Sequence, residues 1–240
     1  MPKTILIIKA MNEEMALLNK QLTIEKEQVV GAFHFFESHY HDLTIITVVC
    51  GIGKVNAATC TAVGCVLYQP HLVINAGVAG GLHADLNVGD VIIASALSYH
   101  DVDVTTFGYA HGQVPRMPQF YSVDQTLAVF AQHKADEHAF KIIDGLICSG
   151  DAFISDAQVV LAIQAKIPDI VGLDMESCAI AQACHQLAVP FFCLRSISDA
   201  ANEVAKPSYE LCLTLAVNNV TTVLLLLLQQ LSVHDQQRVA

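Results

Sequence analysis

Acidic residues in two short segments of this chain stand where apolar, strand-like runs end. Glu176 belongs to the segment LDMES (residues 173–177), and Asp199 belongs to RSISDA (residues 195–200). In α/β folds, ligands bind in the crevice outside the ends of the sheet strands. Carboxyl groups in such a crevice act as general acids and general bases. The two segments therefore predict a site for acid–base chemistry.

Glu13 and Glu14 form a third acidic position, directly after the first apolar run. Asn12 is a candidate N-cap, and acids in a first helical turn are stabilised by the helix dipole, so a structural role alone would explain them. Glu176 and Asp199 have the same structural alternative. Three acids at three strand ends, with Arg195 nearby, favour a shared pocket.

The elements that must position these acids follow from hydrophobic periodicity. Apolar, β-branched runs alternate with helix-like segments, which is the pattern of a sheet with helices on its faces. Strands are predicted at residues 4–10, 30–39, 42–50, 71–76, 89–99, 140–149, 169–174 and 191–197. Helices are predicted at residues 11–21, 53–68, 122–136, 156–165, 176–188 and 207–231. A polar turn around His41 and Asp42 makes part of the sheet antiparallel, so the fold is mixed α/β.

Two glycine-rich segments invite comparison with phosphate-binding loops. In GIGK (residues 51–54), Val48 and Val55 occupy positions where a P-loop needs glycine and Ser/Thr, and Asn56 replaces the third glycine of a dinucleotide fingerprint. The segment GVAGG (residues 77–81) follows a predicted strand. It is either a plain tight turn or a stretch whose backbone N–H groups approach a ligand.

Composition narrows the class of ligand. The chain has 240 residues, is 53% hydrophobic and carries a formal net charge of -11. This balance argues against binding to nucleic acid or to an anionic membrane, because both need clustered cations. The eight cysteines include no CxxC pair and suit a reducing cytosol. The N-terminus lacks a signal-peptide pattern, so a cytoplasmic protein with a small-molecule ligand is predicted.

Several further segments are candidates for a metal site, a membrane span or a functional loop. Potential metal ligands occur at His39 and His41 and in the run HDVD (residues 100–103). A third ligand is not apparent in either place, so no metal or other cofactor is predicted.

The apolar stretch 211–231 is interrupted by Asn218 and Asn219, which favours a buried terminal helix over a membrane span. The irregular segment 100–119 is long enough for a functional loop.

Eight ordered segments together resemble one enzyme family. They are AMNEE (10–14), CGIGKV (50–55), INAGVAGG (74–81), VGDV (88–91), YHDVDVTTFGY (99–109), SGDAFI (149–154), DME (174–176) and RSISD (195–199). Through them the chain resembles, almost end to end, the 5′-methylthioadenosine/S-adenosylhomocysteine nucleosidases of the purine nucleoside phosphorylase-like superfamily. The resemblance implies a single domain over residues 1–240, with a three-layer α/β/α fold around a mixed, twisted sheet.

The resemblance also implies cleavage of the N-glycosidic bond of adenine thionucleosides. Glu14 would be the general base that activates water, and Asp199 the acid that donates to adenine N7. Glu176 would hold the ribose hydroxyls, and Arg195 would help to position the water. The chemistry is consistent with these roles, because the transition state develops positive charge on ribose while electrons flow into the purine. Asp199 must then be protonated, and Glu14 ionised, when the substrate binds.

The substrate-binding positions implied by the same resemblance are Ile52, Val78, Ala79, Gly80, Phe107, Tyr109, Pro115, Phe153, Ile154, Met175 and Ser198. Phe153 would stack on adenine, the Ile154 backbone would contact the purine edge, and Met175 would pack under ribose. Ile52 and a partner subunit's loop 107–115 would line the alkylthio pocket. A homodimer is therefore implied, in which loop 100–119 of each subunit completes the pocket of the other.

Three positions depart from the family pattern and leave alternatives open. Val78 replaces a serine that helps to hold the water, Lys9 replaces a glycine, and Asp174 replaces a glutamate. Lys9 would favour the ionised form of Glu14, approach the water site or point into solvent. The alternatives are a purine nucleoside phosphorylase, a futalosine-type hydrolase and a catalytically weak nucleoside-binding paralogue. Water is the favoured nucleophile, because phosphate needs several fixed cations and Arg195 is the one arginine near the acids.

Overall fold

A computed structural model describes residues 3–83, 85–134, 139–200 and 209–236. The strands are β1 (Lys3–Lys9), β2 (Ile24–Val30), β3 (Phe33–Tyr40), β4 (Leu43–Val49), β5 (Leu72–Gly81), β6 (Val91–Tyr99), β7 (Tyr121–Ser122), β8 (Ile142–Ser149), β9 (Ile170–Asp174) and β10 (Phe191–Ala200). The helices are α1 (Asn12–Asn19), α2 (Lys54–Tyr68), α3 (Gln125–His133), α4 (Ala157–Lys166), α5 (Ser177–Leu187) and α6 (Tyr209–Gln236). A single 3₁₀ turn, Thr105–Phe107, lies within the predicted loop 100–119.

The described strands form one mixed sheet that closes on itself at one end. Strand β5 pairs in parallel with β10, β10 pairs with β6, and β6, β8 and β9 follow in parallel order. The ring closes where β9 pairs antiparallel with the last residues of β5, Gly80 and Gly81. From β5 the sheet also extends through β1, β4, β3 and β2. The closure brings the ends of β5, β9 and β10 together, as a shared site requires.

Helices cover both faces of this sheet, as the predicted three-layer α/β/α class requires. Helix α2 packs against α5, whereas α6 packs against α1, α3 and the strands β5 and β10. Helix α4 buries Val160 and Ile163 against β8 and β9. The stretch Glu210–Ser232 of α6 is long and apolar enough to span a membrane, yet Val220, Leu224 and Leu228 are fully buried in the core. The prediction of a buried terminal helix is confirmed.

Several predicted boundaries were wrong, each for a physical reason. Strand β2 was missed because its sequence IEKEQVV has no apolar face, which suits an exposed edge strand with one neighbour. The predicted strand 30–39 therefore ran across the turn at residues 31–32. Segment 77–81 is part of β5 and not a turn, because pairing on both sides overrides the low strand propensity of glycine. Met11, not Asn12, is the N-cap of α1.

Two other elements differ in length from the predicted ones. Strand β10 continues to Ala200, so Asp199 is a strand residue and not a helix cap. The predicted helix 122–136 is the shorter α3, and residues 135–136 lie outside the described part of the chain. The antiparallel turn predicted around His41 is confirmed by the pairing of β3 with β4.

Candidate active site

A cavity of about 130 Å³ opens where β1, β5, β9 and β10 end. Its lining residues are Ala10, Met11, Glu14, Ile52, Val78, Ala79, Gly80, Phe153, Leu173, Asp174, Met175, Glu176, Ser198 and Asp199. Ile154 lines a smaller adjoining cavity together with Phe153 and Asp199. The fold thus brings three distant acidic segments of the sequence to one pocket.

Glu14 lies in the first turn of α1, directly above the end of β1, and is almost completely buried. One carboxylate oxygen, Oε2, accepts the backbone N–H groups of Ala10 at 2.9 Å and Met11 at 3.1 Å. The other oxygen, Oε1, accepts the N–H group of Val78 at 3.0 Å. The side chain is therefore held in one orientation by bonds to the connection between β1 and α1 and to β5, and it faces the cavity.

Gly77 gives Glu14 and Arg195 the space that they occupy. A Cβ atom at this position would overlap both Nη1 of Arg195 and Oε1 of Glu14. These two side chains therefore approach each other over the backbone of β5 at Gly77, without forming an ion pair within 4.0 Å. The glycine is required by this close approach, and not by a turn.

Arg195 is buried beneath the cavity and does not line it. Its Nε lies 2.8 Å from Oδ2 of Asp174 and donates to Ser177 Oγ at 3.0 Å, while Nη2 donates to Asn75 Oδ1 at 2.7 Å. The Asp174 carboxylate also accepts hydrogen bonds from the hydroxyl groups of Ser149 and Ser177. The floor of the pocket is thus a hydrogen-bonded polar network centred on one ion pair.

Glu176 is the N-cap residue of α5 and points into the cavity from the β9 side. Its Oε1 accepts the Gly53 N–H group at 2.8 Å, and its Oε2 lies 3.9 Å from Arg195 Nη2. Burial raises the pKa of Glu176 to about 7, although Arg195 and the Gly53 bond lower it. This carboxyl group therefore titrates near neutral pH.

Asp199 is placed by a β-bulge in β10. The pairing register shifts between Ile197, which faces Ala79, and Asp199, which faces Gly80, so Ser198 is the extra residue. Bulges next to active sites re-aim side chains. The Ser198 hydroxyl donates to Oδ1 of Asp199 at 2.6 Å, and both residues line the cavity.

A second charged cluster holds the rim of the pocket and was not predicted from the sequence. Lys54 Nζ lies 2.6 Å from Asp101 Oδ2, and the Lys54 N–H group donates to Asp151 Oδ1 at 2.7 Å. The Asp151 N–H group donates to the same Asp101 oxygen. Lys54 follows Gly53, so the cluster fixes the peptide that contacts Glu176.

Some predicted residues lie away from the cavity, and one alternative for Lys9 is excluded. Phe107 is 79% exposed, and neither Tyr109 nor Pro115 lines the pocket of this single chain. Lys9 has no exposed surface, so it does not point into solvent. Within the described residues, no group of three or more His, Cys, Asp or Glu side chains is arranged to hold a metal ion.

Sequence reasoning also missed Asn75, Ser149 and Ser177, which hold Arg195 and Asp174. Each is a small polar residue within a segment already singled out, but no role was assigned to it; polar residues at the end of an apolar strand were the available signal. In chemical terms, the arrangement offers several carboxyl groups in different surroundings on one cavity. It suits paired acid and base steps on a small polar substrate with an apolar side.

The chain is similar to known proteins over almost its whole length. The sequence profile of the phosphorylase superfamily matches residues 4–229. A Geobacillus protein named 5′-methylthioadenosine/S-adenosylhomocysteine nucleosidase is 40% identical over 228 residues, covering 95% of this chain and 98% of the relative. The fold is also similar to two solved structures of enzymes with that name.

The first is the enzyme of Neisseria meningitidis in complex with methylthio-immucillin-A, with a TM-score of 0.90 and 38% identity over 95% of this chain and 99% of the other. The second is the enzyme of Colwellia psychrerythraea in complex with adenine, with a TM-score of 0.91 and 36% identity over 96% of both chains. Similarity therefore extends over nearly the whole fold.

Proposed function

Because the chain belongs to the phosphorylase superfamily and, within it, to the 5′-methylthioadenosine/S-adenosylhomocysteine nucleosidases, which are N-glycosyl hydrolases, we propose a specific reaction and specific catalytic residues. The substrates are 5′-methylthioadenosine and S-adenosylhomocysteine, with 5′-deoxyadenosine as a further substrate, and the products are adenine and the corresponding (thio)ribose. The observation that carries the proposal is the convergence of Glu14, Glu176 and Asp199 on one cavity.

Glu14 is the general base in this proposal. Three backbone N–H groups fix its carboxylate, so a water molecule on the cavity side would meet a base of constant orientation. As the bond between ribose and adenine lengthens, water attacks the anomeric carbon and its proton passes to Glu14. General base catalysis of this kind contributes about 100- to 10,000-fold.

Asp199 is the general acid, which gives its proton to N7 of adenine as the purine leaves. Protonation is needed because an unprotonated purine is a poor leaving group. The support for this role is positional: the bulge aims Asp199 into the cavity, and the Ser198 hydroxyl holds one of its oxygens. Asp199 also faces the adjoining cavity lined by Phe153 and Ile154, where the purine would stack and its edge would contact the backbone.

Glu176 accepts the ribose hydroxyls, and Met175 packs against the sugar. A carboxylate accepts two hydroxyl donors at once, and its negative charge stabilises the positive charge that builds on ribose. Arg195 acts from beneath, because Asp174, Ser177 and Asn75 hold it in place next to Glu14. Its role is to position the carboxyl groups and the water that they bind.

The surface around the pocket supports a homodimer in which a second copy completes the site. Ile52 is half exposed at the cavity rim, and Phe107 is a large apolar side chain left in solvent by the isolated chain. We propose that loop 100–119 of the partner subunit, with Phe107, Tyr109 and Pro115, covers the alkylthio end of the substrate. Such a cover would also exclude water from the reacting bond.

Water is the nucleophile in this proposal, and phosphate is not. Four carboxyl-bearing residues line the cavity, namely Glu14, Asp174, Glu176 and Asp199, and its described lining includes no Lys or Arg. Arg195 is already bonded through Nε and Nη2. A phosphate dianion would therefore meet net negative charge without the bidentate cation partner that it favours.

The test is to incubate the protein with methylthioadenosine, with and without phosphate, and to measure adenine and the sugar product. Phosphate-independent release of adenine and thioribose is expected, whereas a sugar 1-phosphate would identify a phosphorylase. Futalosine serves as the competing substrate. Asp199→Asn should lose adenine release but keep part of its affinity for adenine, and the exposed Asp169→Asn should leave the rate unchanged. Full activity in Asp199→Asn would refute the acid role.

A further inference from the structure

The last residue of β1, Lys9, is a lysine with no solvent-exposed surface next to the proposed catalytic base. Its Nζ has no hydrogen-bond partner among the described residues. The two residues that follow it, Ala10 and Met11, both donate backbone N–H groups to Glu14. An ammonium group buried in this way has lost its solvation by water, which is unfavourable unless another interaction compensates. Its presence at a strand end in the pocket region therefore calls for a functional explanation.

The strand register shows from which side Lys9 approaches. Ile8 is paired with Asn75 in β5, and the Asn75 side chain bonds to Arg195. Successive residues of a strand point to opposite faces, so Lys9 points away from the face that Ile8 and Asn75 share. Lys9 and Arg195 are thus two buried cations that act on the Glu14 region from different faces of the sheet.

The acidic groups around the pocket outnumber its cations, so a second cation would reduce the charge imbalance. Arg195 contacts Asp174 at 2.8 Å, which neutralises much of its charge locally. Among the described residues, Glu14 has no Lys or Arg nitrogen within 4.0 Å, and the nearest approach of a cation to Glu176 is 3.9 Å. With these acids ionised and only Arg195 opposite them, the site carries excess negative charge. That excess opposes the removal of a proton from water.

We propose that Lys9 is a positioning residue of the active site, whose buried ammonium group supplies the counter-charge for Glu14 and for the water that Glu14 activates. The inference rests on the proposed hydrolase function. A positive charge close to the base stabilises the hydroxide-like character that water acquires as it attacks. Lys9 does not line the cavity, so it acts through Glu14 and not on the substrate.

The proposal predicts a pH dependence, because the Lys9 charge is present only below a moderate pH. Burial lowers the pKa of Lys9 to about 8; the nearby Glu14 raises it and Arg195 lowers it. The described elements packed against β1 are α1, α2, β4 and β5. Their other charged or titratable groups are the exposed Glu13, Lys54 in its pair with Asp101, the thiols of Cys60 and Cys65, and the phenol of Tyr68 at the end of α2, with the Cys50 thiol directly after β4.

The experiment compares wild type with Lys9→Met, which keeps an unbranched side chain one atom shorter and removes its charge. Hydrolysis of methylthioadenosine is measured from about pH 6 to about pH 10. At the acid end, kcat of Lys9→Met should be about 10- to 100-fold lower, with little change in KM. The ratio should approach 1 above about pH 9, where the wild-type amine is neutral. Lys20→Met, at an exposed position after α1, is the control and should match wild type throughout.

Two more measurements test the role of Lys9 if Lys9→Met does not fold. The wild type alone should show kcat falling with an inflection near pH 8, and Lys9→Arg, which stays charged, should lack that fall. A ratio of wild type to Lys9→Met that is constant with pH, or a wild-type kcat that is flat from about pH 7 to about pH 9, overturns the role of Lys9. Absence of any wild-type hydrolysis overturns the proposed function, and this inference with it.

Discussion

Replacing Glu176 by glutamine should make the protein more stable at neutral pH and less active. The side chain is buried, and its Oε1 accepts the Gly53 N–H group at 2.8 Å. A glutamine has nearly the same volume and retains a carbonyl oxygen that can accept this bond. The substitution therefore removes one thing only, the ability of position 176 to carry a negative charge.

The size and sign of the stability effect follow from proton linkage. An unfolded glutamate loses its proton near pH 4.5, whereas burial raises the pKa of folded Glu176 to about 7. Between these two values the folded state binds more protons, so the free energy of unfolding falls as the pH rises. At about 1.36 kcal/mol per pH unit, the loss is about 3 kcal/mol once the pH exceeds 7. Glutamine has no proton to lose, so the variant escapes this loss.

Urea unfolding at about pH 5 and about pH 8 measures the effect. Relative to wild type, Glu176→Gln should gain about 2 to 3 kcal/mol between these values, while the exposed Glu13→Gln should gain nothing. At the same time kcat/KM for methylthioadenosine should fall by about 100-fold or more, because an amide cannot provide the negative charge. Parallel stability curves for wild type and Glu176→Gln would refute the assignment of a buried, neutral-pH-titrating carboxyl group.

Two other substitutions test the geometry around Glu14. Gly77→Ala places a Cβ where Arg195 Nη1 and Glu14 Oε1 now lie, and both side chains are held by their own hydrogen bonds. We expect the free energy of unfolding in urea to fall by about 1 to 3 kcal/mol and kcat to fall by at least about 10-fold. Wild-type values in both assays would show that Glu14 and Arg195 can move to make room for a Cβ. Val78→Ser adds a hydroxyl at the cavity wall, next to the backbone N–H group that donates to Glu14, where it could hold the attacking water. We therefore expect kcat for methylthioadenosine to rise by about 2- to 10-fold; an equal or lower kcat would show that the water needs no side-chain donor at position 78.

The sequence predicted those parts of the fold that hydrophobic periodicity determines. Strands such as β4 and β8 are apolar and central, and their predicted bounds differ from the observed ones by only a few residues. Edge strand β2 has no such pattern, because its side chains face solvent and only backbone bonds to β3 define it. Periodicity also gives no information on ring closure, which depends on pairing between residues 80–81 and 172–173.

The sequence likewise predicted some residues of the candidate site and missed others. The acids Glu14, Glu176 and Asp199 were found because carboxyl groups after apolar strands are conspicuous in a sequence. The groups that hold them were missed: Gly53 donates through its backbone, and Lys54 reaches Asp101, 47 residues away. Neither a backbone donor nor a distant ion pair leaves a residue pattern. The sequence also did not predict the burial of Lys9, because a lysine at a strand end has the same sequence pattern whether it faces solvent or the core.

The small residues of β5 are best understood as a requirement of the site. A buried central strand is normally rich in β-branched residues, yet β5 ends in GVAGG. Gly77 leaves the space in which Glu14 and Arg195 approach each other, and Gly80 pairs with Asp199 on one side and Leu173 on the other. A larger side chain at position 77 would displace Glu14 or Arg195, and a Cβ at position 81 would lie 3.1 Å from the Ile197 side chain. The stretch least typical of a strand is therefore the one on which all three acidic segments converge, and a glycine-rich strand end between apolar neighbours is itself a sign of such a site.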